Sequence, residues 1–178
     1  KNIILCYDNA YSETTFDGYV APSILEIDGA TEVAVEFHSC SKMFNMTGYR
    51  IAFAVGNEHI ITGLLKVKTQ IDSGPPIYIQ KVAIKALRSY VDGKPPEYME
   101  KVRRIYAERR DIMVERLKSM GFNCEKPKAT FYIWLNCGCS SMDFTSKLLE
   151  AGVVVTPGIG FGEYGDCLLY TSDAADEG

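Results

Sequence analysis

Glu36-Phe37-His38-Ser39-Cys40-Ser41-Lys42-Met43-Phe44-Asn45-Met46-Thr47-Gly48-Tyr49-Arg50 joins two strand-like segments across a polar stretch that carries one lysine. On its near side, Glu32–Phe37 alternates and includes β-branched residues, the pattern of a strand. On its far side, Tyr49–Val55 reads as another strand, closed by Gly56-Asn57. Ser39 to Gly48 shows no helical period and reads as a polar loop. Upstream, residues 2–7 form an apolar run that reads as a buried strand ending at Asp8, and Asn9 to Gly18 is polar and turn-rich. Asp8 and Lys42 therefore both follow strands. Open α/β sheets place their ligands at the carboxyl ends of strands.

Further along, the apolar period switches to that of helices. Ile60, Ile61, Leu64, Leu65 and Val67 fall near one face over residues 58–71. Ser73-Gly74-Pro75-Pro76 breaks that helix, and a second runs over 77–90 with Ile79, Val82, Ala83, Ala86 and Leu87 expected inward. Asp92-Gly93-Lys94-Pro95-Pro96 is the best boundary signal in the chain. A long amphipathic helix over 97–120 follows, its stripe formed by Tyr98, Val102, Ile105, Tyr106, Ile112, Met113, Leu117 and Met120, with Gly121 as its stop. The last third reads as α+β. Asn123–Glu125 and Thr130–Asn136 are paired strands, residues 142–151 a helix and Val153–Thr156 a short strand. The fold class is α/β. Residues 1–92 are expected to be part of a larger domain with a mostly parallel sheet, and 93–166 a small α+β domain.

Composition excludes several functions. The 178 residues carry 19 Lys+Arg against 23 Asp+Glu, a net charge of −4, where a nucleic-acid-binding chain is usually basic. Hydrophobic residues make up 47%, as in an ordinary globule, but no apolar run reaches the ~18 residues of a membrane span. The six cysteines show no paired metal spacing, and Cys137-Gly138-Cys139 is a lone C-x-C. With no signal peptide at the start, free thiols in a reducing cytoplasm are expected.

Each chemical feature has a bland reading alone. Acids at strand ends form turns, and a lone lysine in a polar loop is usually a solvated charge. Order and spacing change the odds. Asp8-Asn9-Ala10-Tyr11 follows one strand, Ser39-Cys40-Ser41-Lys42 follows another, and Arg50 comes after seven further residues, at the start of a third. Together they resemble the fold-type-I aminotransferases that depend on pyridoxal 5′-phosphate (PLP), in class I/II. The string from Glu36 to Arg50 is most similar to the LL-diaminopimelate aminotransferase branch. Tyr11-Ser12-Glu13, Thr15-Phe16-Asp17-Gly18, Ile71-Asp72-Ser73-Gly74 and Glu125-Lys126-Pro127-Lys128-Ala129-Thr130-Phe131-Tyr132 support that likeness. It extends over residues 1–166, roughly the second half of a family member.

The resemblance implies roles that the residue types suit. Lys42 matches the lysine whose primary amine holds PLP and then moves a proton at the substrate. That amine has to be largely neutral, which desolvation and nearby cations favour. Asp8 matches the carboxylate that keeps the pyridine nitrogen protonated, so that the ring can act as an electron sink. Tyr11 matches the tyrosine that hydrogen-bonds the cofactor's 3′-oxygen. Ser39, Ser41 and Arg50 match phosphate-side residues, and the planar guanidinium fork suits a phosphate. Cys40 and Met43 read as fillers. The implied activity is amino transfer between an amino acid and a 2-oxo acid, in lysine biosynthesis, by a cytoplasmic homodimer. Other class I/II aminotransferases acting on alanine, aspartate or aromatic amino acids are alternatives. So are a carbon–sulfur β-lyase and the aminotransferase-like sensor domain of a transcription regulator.

Both ends depart from the family. The chain opens Lys1-Asn2-Ile3-Ile4-Leu5, inside an apolar run, and reads as truncated. Downstream, the family's Gly-aromatic-Phe-Arg run, whose arginine grips the substrate α-carboxylate, does not follow Gly165. Instead Cys167-Leu168-Leu169-Tyr170-Thr171-Ser172-Asp173-Ala174-Ala175-Asp176-Glu177 resembles a translated sequencing-library adapter. Residues 167–178 are therefore set aside from fold reasoning. They are expected to lack stable packing, with Leu168, Leu169 and Tyr170 at most collapsing onto a neighbouring strand. The 178-residue chain is expected not to transaminate, to be prone to aggregation, and to hold any PLP weakly or attach it non-specifically to surface lysines.

Overall fold

A computed structural model describes residues 3–162, 165 and 168–171. The chain divides into two compact units at Lys101/Val102.

In the first unit, β1 (Leu5–Asp8), β2 (Ala34–Ser39) and β3 (Ala52–Gly56) form a sheet in the order β1-β2-β3. β1 and β2 are parallel, with Asp8 beside Phe37, and β2 and β3 are antiparallel, with Ser39 beside Ala52. The α/β class holds, and the sheet in this chain is mixed. Because β1 and β2 run the same way, their carboxyl ends lie side by side, which brings Asp8 and Ser39 to one edge. A short helix α1 (Ala30–Val33) leads into β2, with Gly29 in a left-handed conformation ahead of it. The expected strand over Glu32–Phe37 therefore starts later and runs further.

The expected polar loop is also more structured than its sequence suggests. α2 (Cys40–Met43) follows β2 directly, and Thr47–Tyr49 is a 3-10 turn. Cys40 is the pivot. It is fully buried among Phe44, Met46, Ala83 and Met99, its N–H donates to Ile51 O, and its carbonyl accepts from Phe44 and Met46. A residue that reads as a filler thus anchors the turn that carries Lys42.

α3 (Glu58–Ile71) begins at Asn57, whose Oδ1 accepts from the His59 and Ile60 N–H groups. α4 (Ile77–Leu87) buries Ala83, while Val82 and Leu87 of its expected inward face are exposed. Leu64, Leu65 and Val67 of α3 are exposed as well.

α5 (Glu97–Ser119) crosses from the first unit to the second. Its buried positions are Met99, Tyr106, Arg110, Val114 and Leu117, so the expected stripe is right at Tyr106 and Leu117, half-buried at Val102 and Met113, and exposed at Tyr98, Ile105, Ile112 and Met120. In the second unit β4 (Asn123–Cys124) and β5 (Tyr132–Asn136) pair antiparallel, α6 (Ser141–Glu150) follows, and β6 (Thr156–Pro157) leads to a 3-10 turn at Gly158–Phe161. Along β5, Ile133 and Leu135 are buried and Trp134 is exposed, the alternation of a one-sided sheet. They pack with Val114, Leu117 and Cys124.

β7 (Leu168–Thr171) inserts between β5 and β6, giving the order β4-β5-β7-β6. The expected collapse of Leu168, Leu169 and Tyr170 onto a neighbouring strand is what the backbone shows, and the pairing on both sides goes further than the expected lack of stable packing. The rest of the expected tail, Cys167 and residues 172–178, lies outside the described residues.

Candidate active site

Asp8 is the last residue of β1 and is exposed. Asn9 continues the parallel ladder, its N–H donating to Phe37 O at 2.9 Å. The chain then turns. Ser12 N–H donates to Asn9 O at 3.2 Å and Thr14 N–H to Tyr11 O at 2.9 Å. Thr14 and Phe16 are buried and hold the turn down. Tyr11 sits within it, half-buried.

Lys42 lies in the last turn of α2, and its Nζ stands 5.6 Å from the centre of the Tyr11 ring. A cation over an aromatic face is attracted by the ring quadrupole. The structure thus joins the D-x-A-Y turn and the S-x-S-K turn through one contact between segments about thirty residues apart. Ser39 ends β2 on the face it shares with Asp8, since alternate residues of a strand point the same way and Asp8 pairs with Phe37. Ser41 is buried within α2.

Arg50 stands apart. It is exposed, and its Nη1 donates to Thr47 O of its own turn at 3.1 Å. Its φ is +51°, a left-handed conformation that is uncommon for a residue with a side chain. Such strain tends to persist where a side chain is needed. The two described cavities, of about 620 and 310 Å³, are lined by neither Asp8, Tyr11, Lys42 nor Arg50.

On the face of β2 opposite Asp8 lies a feature the sequence reading passed over. Glu36 is 1% exposed and has four donors. Its Oε1 accepts from Asn9 Nδ2 at 2.7 Å and meets His38 Nε2 at 3.0 Å. Its Oε2 accepts from Ser23 Oγ at 2.5 Å and Ile24 N–H at 3.0 Å. Burial opposes ionisation of this carboxyl. The hydrogen bonds from Ser23 and Asn9, with His38 and the Ile24 N–H, outweigh it and hold the group below its ordinary value. A glutamate inside an alternating β run was the available signal, because such a charge is rarely buried without partners. The Cys40 thiol, by contrast, is pushed up by burial and suits packing rather than nucleophilic chemistry.

The residue types suit PLP: an amine, a phenol, a carboxylate, a hydroxyl and a guanidinium, with the amine and phenol already in contact. Among the described residues no group of three or more His, Cys, Asp or Glu could hold a metal ion, and no helix is long and apolar enough to cross a membrane.

The family model for aminotransferase class I and II matches residues 1–169. LL-diaminopimelate aminotransferase 2 of Trichormus variabilis is 48% identical over 168 residues, 93% of this chain and 42% of the relative. The LL-diaminopimelate aminotransferase of Syntrophobacter fumaroxidans is 51% identical over the same shares. Among solved structures, an aromatic aminotransferase from Pyrococcus horikoshii matches with a TM-score of 0.86 at 32% identity, over 94% of this chain and 45% of that one. An aminotransferase from Staphylococcus aureus matches at 0.85 and 33%, over 98% and 46%. The chain spans about two fifths of the length of the curated relatives it matches. It belongs to the class I and II aminotransferase family.

Proposed function

We propose that this chain is the C-terminal portion of an LL-diaminopimelate aminotransferase, which moves an amino group between LL-diaminopimelate and a 2-oxo acid with PLP as cofactor. The observation that carries the site is the Lys42 amine over the Tyr11 ring, beside the strand end that bears Asp8. The substrate is supported by the 45–51% identity to relatives of that name.

PLP, when bound, supplies an electron sink for the bond that breaks at the substrate's α-carbon. Lys42 would hold the cofactor and carry the proton between substrate and cofactor. Tyr11 would donate to the 3′-oxygen and orient the ring. Asp8 would face the ring nitrogen and keep it protonated. Ser39, Ser41 and Arg50 would take the phosphate. Residues 1–92 would belong to the cofactor-binding domain of the whole enzyme and residues 93–166 to its small domain, while residues 167–178 would be an adapter-derived tail foreign to it. The active form is a cytoplasmic homodimer. The apolar residues left exposed on α3 support further packing surfaces in the complete protein.

The test is a chimera in which residues 1–166 replace the matching segment of the Trichormus variabilis relative. Amino transfer from LL-diaminopimelate, lost in Lys42→Ala, is expected. Transfer only from aspartate, alanine or an aromatic amino acid would move the assignment to another branch. Release of pyruvate from cystathionine without amino transfer would move it to a β-lyase.

A further inference from the structure

We infer that Glu36 is a positioning residue, and that it sets the direction of Asp8 and Tyr11 by clamping the residue that follows each of them. The inference rests on the cofactor site proposed above.

Glu36 and His38 lie on one face of β2, and Asp8 lies opposite, because it pairs with Phe37. The clamp therefore works from beneath. Asn9, next after Asp8, is tied twice to β2: its N–H bonds Phe37 O, and its side-chain amide bonds Glu36. The same amide reaches Pro22 O at 3.2 Å. With Asn9 drawn to one face, the preceding Asp8 side chain is directed to the other. The second arm runs through His38. Its Nε2 meets Glu36, its Nδ1 lies 3.5 Å from Ser12 Oγ, and its ring stacks on Phe53 with centres 5.0 Å apart. Ser12 follows Tyr11.

The other carboxylate oxygen fastens the segment at Ser23 and Ile24, which closes the loop begun at Asn9. An ionised carboxylate has about four acceptor sites, and here four donors meet it. A neutral amide in its place would turn donors toward donors. A fully satisfied buried network is rigid, and small displacements at a reacting centre are costly.

The experiment titrates the 178-residue chain with PLP, traps the adduct with borohydride and locates it by peptide mass spectrometry. Because the Lys42–Tyr11 contact is formed in this chain, the parent is expected to be labelled preferentially at Lys42 rather than non-specifically at surface lysines as its sequence suggested, and Lys42→Ala to lose that label. Glu36→Gln is expected to weaken PLP binding at Lys42 at least about tenfold. Val35→Ala is the control. Val35 is buried next door on the same strand, on the face opposite Glu36, and carries no polar group, so its truncation loses packing only. Both variants are compared at temperatures that give equal folded fractions by circular dichroism. Equal weakening in the two would overturn the proposal, since Glu36 would then act through stability alone. Unchanged binding in Glu36→Gln, with Lys42 labelled in the parent, would overturn it and leave the cofactor site standing. No preference for Lys42 in the parent chain would sink both. Should Glu36→Gln not fold, Asn9→Ala cuts one arm of the clamp and is expected to weaken binding several-fold; no change there is equally fatal.

Discussion

Arg110 donates from Nη1 to the carbonyl oxygen of Pro127 at 2.9 Å, which ties the middle of α5 to the turn between β4 and β5. The side chain is 2% exposed, and its Nε donates to Asp111 Oδ1 at 2.7 Å. Asp111 is half exposed, so the ion pair itself contributes little. The bond to the Pro127 carbonyl matters more, because removing a buried donor strands its acceptor. Arg110→Met should destabilise the second unit by about 1–3 kcal/mol. Trp134 is the only tryptophan and lies in this unit, so its fluorescence in urea reads the change. A loss below about 0.5 kcal/mol, the range of an ordinary surface change, would refute it.

Acid should act on the same contact. Burial opposes the charge on Asp111, but hydrogen bonds from Arg110 and Lys126 outweigh it, and the carboxyl sits below its ordinary value. A folded value below the unfolded one gives a contribution that is present above about pH 3.9 and fades as pH falls through the folded value. Asp111→Asn should flatten that part of the stability–pH curve below about pH 4 and leave its shape near pH 7 unchanged. The same slope in both proteins would show that the contact does not titrate with folding.

Gly56 should resist any side chain. Its φ is +143°, and a Cβ there would lie 2.4 Å from Ala34 O and 2.8 Å from Val35 Cα. Both are backbone atoms of β2, so the β2–β3 pairing would have to open. Gly56→Ala should cost more than about 2 kcal/mol, at the severe end for one substitution. A thermal midpoint equal to the parent's would mean that the strand end moves freely.

Asn57, the next residue, joins three elements. Beyond its two bonds to the α3 N-terminus, its Nδ2 donates to Thr31 O at 3.1 Å and Glu32 O at 3.0 Å, on α1. None of the residues of α3 is buried, so its ends count for more than its faces. Asn57→Ala should cost about 1–2 kcal/mol, at the upper end for a lost cap, visible as lost ellipticity at an unchanged pH. An unchanged helix signal would show that packing alone holds α3.

Helices were legible where length and caps agreed. The run 58–71 matches α3 at both ends, because Asn57 caps it and a broken period follows Ile71. Short elements were not. Ala30–Val33 holds Thr31 and Val33, whose β-branching reads as strand, and four residues are too few for a period to show. Cys40–Met43 looks like loop because burial of Cys40, not a pattern, makes it helical. Helix faces were read least well. Periodicity says that a face is apolar but not what covers it, and Leu64, Leu65 and Val82 are bare in a chain two fifths the length of its relatives. β7 is a different case, since only its collapse onto a strand was expected and not its pairing on both sides. A strand is recruited through backbone N–H and C=O groups, which every sequence carries, so the side chains of Leu168–Thr171 did not announce the pairing with β5. At the site, the residue types and order of Asp8, Tyr11 and Lys42 could be read, whereas the Glu36 clamp required three-dimensional contacts.

Arg50 offers a test in which stability and binding move apart. Its left-handed conformation costs about 1–2 kcal/mol for a residue with a Cβ, and glycine would remove that strain. Glycine also raises the entropy of the unfolded chain, which returns roughly 0.5–1 kcal/mol. The lost bond to Thr47 O is exposed and adds little. Arg50→Gly should therefore melt at or slightly above the temperature of the parent chain. If the guanidinium takes the cofactor's phosphate, the same variant should bind PLP about tenfold more weakly, since a charge-assisted contact with phosphate contributes on the order of 1.5–3 kcal/mol. Pyridoxal, which lacks the phosphate, separates the two effects and should bind parent and variant alike. Equal losses for PLP and pyridoxal would place Arg50 away from the phosphate. A fall in melting temperature would mean that the strained turn is held by contacts of the arginine side chain rather than kept for its ligand.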